Sequence, residues 1–150
     1  MAPLGTAASA ACEDVPLPIV RLNRWLIVLS GAAAILLQTP LPATLVLLLL
    51  LPGTLFGQRW SPIFHLGRLI FGASLASAER EDRRLMRFNN SIAVTLLVGA
   101  HLAYSLGLPV LAWVLIGMVV TAAAVALAGF CVGCFLYYQF RLNRYRLFGR

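Results

Sequence analysis

The sequence predicts an all-α membrane protein: four transmembrane helices arranged as two tandem hairpins, with an amphipathic helix lying in the interface between them. Three observations carry that expectation. Apolar residues make up 61% of the 150 residues and charged ones only 11%, against roughly 25% charged in a soluble domain. Several nearly uncharged stretches reach about 17–20 residues, long enough for a hydrocarbon core of ~30 Å. The 12 basic residues are all arginine and gather in three places outside those stretches.

Residues 1–20 read as a small-residue, proline-containing tail, disordered and cytoplasmic. Ser9-Ala-Ala-Cys12 looks like a lipoprotein cleavage site. It lacks a preceding positive charge and a long enough apolar run, so Cys12 reads as incidental.

The first hairpin occupies residues 21–57. Its first span, residues 22–38, opens on Arg21, Arg24 and Trp25, side chains suited to the membrane interface. Thr39-Pro-Leu-Pro42 is a tight uncharged turn, and the second span, residues 41–56, is leucine-rich. Pro52 predicts a kink or an early end there.

Residues 58–87 change character. Ser61-Pro62 fits a helix N-cap followed by proline at the first helical position. From there His65, Arg68 and Gly72 share a face, with Ile63, Leu66, Ile70 and Phe71 largely opposite, the pattern of an interfacial helix. Glu79-Arg-Glu-Asp-Arg-Arg84 reads as a charged, solvated linker.

The second hairpin occupies residues 88–140, with spans at 88–106 and 108–138 around the turn Leu106-Gly-Leu-Pro109. Its last span would be ~45 Å long as one helix. It must therefore tilt, protrude, or break near Gly129 or Gly133. Residues 141–150 form a basic tail with four arginines. Since neither hairpin turn holds an arginine, the positive-inside rule puts both termini and the central linker in the cytoplasm. The same distribution forms no basic groove, which argues against nucleic acid.

The hairpins resemble each other. Arg21-Leu-Asn23 opens one and Arg87-Phe-Asn89 the other; Gly57 and Gly129 stand at corresponding ends. Copies with an even number of spans share one orientation, as expected of a parallel internal repeat. Asn23 and Asn89 are expected to cap helices rather than to bind a ligand.

Chemistry concentrates in Gly129-Phe-Cys-Val-Gly-Cys-Phe-Leu-Tyr-Tyr138. Cys131 and Cys134, three apart, share a face on a helix. Such a pair can exchange electrons or carry sulfur, bind a metal, or fill a packing seam. A position toward a helix C-terminus disfavours the thiolate, with Arg141 and Arg144 as the compensating charges. The packing alternative rests on the i, i+4 ridge of Gly117, Thr121, Val125, Gly129 and Gly133. Metal binding is the weakest of the three, because two cysteines supply half a tetrahedral site even with His65 nearby. No metal and no cofactor are expected. His101 lies inside the third span, where an ionisable group is a functional candidate by default. Its plainer alternative is a neutral ring hydrogen-bonded across helices.

Leu55-Phe-Gly-Gln-Arg-Trp-Ser-Pro-Ile-Phe64 and the cysteine-bearing stretch, with Arg-x-Asn ahead of each hairpin, resemble a bacterial family of small integral membrane proteins, domain of unknown function 4395. The resemblance covers residues 13–141. It implies a bacterial cytoplasmic membrane location. It also implies an association with thioredoxin-like and rhodanese-type proteins, which favours thiol or sulfur chemistry at Cys131 and Cys134. A cytoplasmic partner of that kind would dock on the face that carries Arg68 and Arg141, with His101 as a further binding candidate. The reading of another class is a non-enzymatic scaffold or small-solute permeation subunit with packing cysteines. Homo-oligomerisation is expected either way.

Overall fold

The structure, a computed structural model, describes residues 15–130 together with residues 139, 142, 143 and 146. It is mostly helical. Five α-helices are present among the described residues: α1 (Leu17–Leu37), α2 (Leu41–Leu55), α3 (Pro62–Phe71), α4 (Arg83–Ser105) and α5 (Pro109–Leu127). Two short extended segments, β1 (Val15–Pro16) and β2 (Arg80–Glu81), pair antiparallel.

The helices α1, α2, α4 and α5 form a ring in which α1 touches α2 and α5, and α4 touches α2 and α5. α3 crosses one end, against α1 and α2. Inside the ring the side chains are small or medium: Ala34, Ala43, Ala93, Ala100, Ala112 and Ala123 stand beside Leu50, Leu97 and Ile116. Small residues let helices approach closely. α1 and α5 approach closely at Gly31, where a Cβ would collide with Val120 Cγ2 on α5. Gly67 on α3 similarly admits Ile19 of α1, at 2.8 Å from where a Cβ would stand.

Large apolar side chains face outward instead, including Leu29, Leu36, Leu45, Leu48, Leu102, Val114 and Met118. Two helices, α1 and α5, are long and apolar enough to cross a membrane by length and composition.

Both turns between ring helices use one left-handed residue: Gln38 (φ 52°) after α1 and Gly107 (φ 76°) after α4. At Gly107 the Leu108 amide reaches the Ala103 carbonyl at 2.9 Å, the closure that satisfies carbonyls left free at a helix end. α2 contains Pro52 and continues to Leu55, so of the expected kink or early end the early end does not occur. At α3 the expected cap is present: Ser61 Oγ accepts from the Phe64 amide, with Pro62 at the first helical position.

Two boundaries differ from expectation. Of the tail expected to be disordered over residues 1–20, residues 15–20 are part of β1 and α1, and the linker expected to be solvated over residues 79–84 contributes β2. β1 pairs with β2, the Leu17 amide donates to Glu79 O at 2.8 Å, and Val15, Ile19 and Val20 are buried. α4 accordingly begins at Arg83, capped by Asp82, whose carboxylate accepts from the Arg84 amide at 2.8 Å. Asn23 and Asn89 are therefore interior helix residues and not caps.

α5 also ends earlier than the fourth expected span. α5 stops at Leu127 and Gly129 takes φ 97°. The Phe130 amide reaches Val125 O at 3.2 Å, the same closure as at Gly107. The break is at the first of the two glycines named above; Gly133 lies outside the described residues. The ridge of Gly117, Thr121 and Val125 is not the seam inside the bundle, which runs instead through Ala112, Ile116, Val119 and Ala123. A Cβ on Gly117 would meet nothing within 4 Å, and Thr121 is exposed.

Candidate functional site

Polar side chains converge where α1, α4, α5 and β2 meet. Asn23 points from α1 toward α4, 3% exposed, and its Nδ2 donates to Asn90 Oδ1 at 2.8 Å. The Asn23 Oδ1 is buried and has no hydrogen-bond partner. Such an unsatisfied acceptor typically costs about 1–3 kcal/mol.

One residue on, Arg24 joins three elements. Its Nη2 donates to both carboxylate oxygens of Glu81, at 2.9 and 3.1 Å, and its Nη1 donates to Ala126 O at 3.3 Å. Glu81 is brought there by the β1–β2 pairing, in which it sits opposite Val15. The guanidinium lies on the last turn of α5, where a cation opposes the negative end of the helix dipole. The two charges are mutually compensated, so the site as a whole is close to neutral.

Beside these groups is a cleft of about 110 Å³. Asn23, Arg24, Glu81, Asn89 and Asn90 form its polar end; Ile27, Ile92, Leu96, Val119 and Ala122 form its apolar body. Ile92 and Ala122 are exposed, so the opening lies between α4 and α5 on the outside of the bundle.

Arg87 performs on α2 what Arg24 performs on α5. Its Nε donates to Thr54 O at 3.1 Å and its Nη2 to Leu55 O at 3.4 Å. The first helix of each hairpin thus supplies an arginine to the closing turn of the other hairpin's second helix.

His101 is elsewhere, near the hairpin turns. Its Nδ1 lies 2.7 Å from Leu97 O, an atom that only accepts, so Nδ1 carries a proton. In the neutral ring Nε2 then accepts from the Thr44 hydroxyl of α2 at 2.7 Å. That hydroxyl is also 2.9 Å from Pro40 O, so two acceptors compete for one proton. The Thr44 hydroxyl thus lies within hydrogen-bond distance of His101 between α2 and α4, the geometry of the plainer alternative given for this histidine.

Arg68 is exposed in the last turn of α3 and does not line the cleft. It and His101 are at opposite ends of α2, a length of ~22 Å, and the fold does not bring them together. His65 Nε2 donates to Arg59 O at 2.9 Å. Among the described residues no cluster of three or more His, Cys, Asp or Glu could hold a metal ion. Cys131, Cys134 and Arg141 lie outside the described residues; Cys131 follows Phe130 directly in the chain.

Sequence reasoning missed Glu81 and Asn90 and took Arg24 only for an interface anchor. A signal was available: Glu81 and Asp82 are two of just five acids, set between the hairpins of an arginine-rich chain.

The fold and this site define a small α-helical bundle that has, among the described residues, two helices long and apolar enough to span a membrane, and a largely apolar cleft with a polar end. The chain belongs to the family described as Domain of unknown function (DUF4395), whose model matches residues 15–141. No curated protein and no solved structure matches it.

Proposed function

We propose that this protein is a four-span membrane dithiol protein, with both termini in the bacterial cytoplasm, that exchanges electrons or carries sulfur through Cys131 and Cys134. Four membrane spans are supported by the packing of the ring, in which each of the four long helices buries at least one alanine and exposes large apolar side chains. The parallel repeat is supported by a left-handed residue in each hairpin turn, and by an arginine in the first helix of each hairpin that reaches the second helix of the other, Arg24 standing one turn on from the Arg21 that aligns with Arg87. α3 lies in the interface on this reading: Ile63 and Gly67 face the bundle, while Leu69 is 84% exposed beside Arg68.

The single observation that carries the thiol reading is the end of α5. The packing alternative needs one helix to bring its small-residue ridge through the cysteines, and α5 ends at Leu127 with a closed last turn. Arg24 on the Ala126 carbonyl also offsets the dipole that counted against a thiolate beyond that end. The chemistry is thiol–disulfide exchange. One thiolate attacks a disulfide sulfur of a cytoplasmic thioredoxin-like partner, forming a mixed disulfide and releasing one partner thiolate. The second thiolate attacks the bridge, releasing the other. The pair gives up two electrons, and the partner's disulfide is reduced to a dithiol.

The test is labelling of sealed membranes with an impermeant maleimide, followed by mixed-disulfide trapping with Cys131→Ser or Cys134→Ser. Labelling from the cytoplasmic side and a trapped adduct in one of the two variants support the reading. Protected thiols, together with full function of the Cys131→Ala/Cys134→Ala protein, overturn it.

One observation favours the scaffold or permeation reading: the open space at Gly117 and the exposed Thr121 leave a small-residue face of α5 on which a second copy can lie. That reading expects Gly117→Leu to disrupt a dimer and to abolish function in cysteine-free protein.

A further inference from the structure

We propose that the cleft between α4 and α5 binds the head of a neutral, hydroxyl-bearing lipid-soluble molecule, entering sideways from the membrane. The idea rests on the membrane reading above but not on the cysteines.

Four features of the cleft select that chemistry. Its body is apolar, formed by Ile92, Leu96 and Ala122, and its volume of about 110 Å³ suits a head group and a few carbons. That is somewhat below the ~150 Å³ of a cavity that takes benzene. Its opening is on the outer surface of the bundle, where a ligand carried in the bilayer arrives without passing through water. Arg24 and Glu81 neutralise each other, so neither an anion nor a cation is preferred.

The fourth feature is the Asn23 side chain, whose Nδ2 is committed to Asn90 while Oδ1 has no partner. Asn23 lines the cleft, and binding requires only a small turn about its soft terminal torsion to bring this acceptor to a ligand. A hydroxyl is an O–H donor of the right size for it. An ester or ether with the same chain offers no donor and leaves Oδ1 unsatisfied.

The experiment uses the full chain in phosphatidylcholine nanodiscs and two photoreactive probes of equal length, a diazirine-bearing long-chain alcohol and its methyl ether. The alcohol is expected to label peptides that contain Ile92 or Ala122, about threefold to tenfold more than the ether, the range one neutral hydrogen bond supplies. Asn23→Leu should bring the alcohol down to the ether's level, and Ala122→Phe should remove both. Competition by an unlabelled monoacylglycerol or by an unlabelled quinol then tells which natural kind of hydroxyl is taken. Equal labelling by the two probes in the wild-type protein, or labelling spread over the whole outer surface, overturns the proposal, even if Asn23→Leu does not fold. Cys131→Ala/Cys134→Ala should label as wild type, so loss of the thiol reading leaves this result intact. A flotation assay reports separately on the membrane reading.

Discussion

Arg24 and Ala126 are 102 residues apart in sequence, and the guanidinium of one donates to the carbonyl of the other at 3.3 Å. The same guanidinium holds Glu81, and both side chains are mostly shielded, at 16% and 14% exposure. This contact ties the start of α1, the β1–β2 pairing and the end of α5 into one unit.

Arg24→Ala should therefore cost about 2 kcal/mol, since it strands a largely buried carboxylate and uncovers a helix-terminal carbonyl. Arg24→Lys keeps the charge but not the fork that spans both partners, and should recover only part of the loss. A double-mutant cycle with Glu81→Gln, read by denaturant unfolding in detergent, measures the pair directly. A coupling near zero would show that the two charges act independently.

Close helix approach gives a second, paired expectation. At Gly31 a methyl group would strike Val120, so Gly31→Ala should destabilise by about 1–3 kcal/mol. At Gly117 the space is open, so Gly117→Ala should be neutral or stabilise by up to about 1 kcal/mol through helix propensity. Unfolding midpoints of the two variants should move in opposite directions or only for Gly31.

Much of this fold was legible because its signals are local. The uncharged turns, the Ser61-Pro62 cap and the glycine that closes α5 each depend on a few neighbouring residues. What was not legible depends on partners far along the chain. Val15 and Ile19 look like tail residues until β2 shields one and α3 receives the other. Asn23 has the composition of a cap, and only the approach of α4 makes it a buried amide paired with Asn90. The site was read from Cys131 and Cys134 with His101, Arg68 and Arg141, and Arg24 was passed over, since an arginine at a membrane boundary has a sufficient explanation in topology and gives no sign of a carboxylate partner.

The hydrogen bond between α2 and α4 at His101 predicts a modest coupling. Thr44→Val removes the hydroxyl that Nε2 contacts at 2.7 Å and should cost about 1 kcal/mol, whereas Thr44→Ser keeps it and should cost less. With His101→Phe already in place, Thr44→Val should cost little more, apart from the contact to Pro40. Equal losses in both backgrounds would mean that the imidazole and the hydroxyl do not depend on one another.

The closure of α5 links stability to the thiols. Gly129 holds φ 97°, a conformation that costs a residue with a Cβ about 1–2 kcal/mol. Gly129→Ala should therefore destabilise the protein by about 1 kcal/mol, or escape the strain by prolonging the helix past Phe130. In the second case Cys131 comes under the negative end of the α5 dipole, which disfavours the thiolate. Its alkylation by maleimide should then slow relative to Cys12, which serves as an internal standard. Gly129→Asn, a residue that tolerates left-handed geometry, should leave the rate near that of the wild type. Gly107→Ala introduces comparable strain at the turn between α4 and α5, so it should lower stability without changing the ratio of the two rates. A wild-type ratio in Gly129→Ala as well would separate the closure of α5 from the reactivity of the cysteine pair.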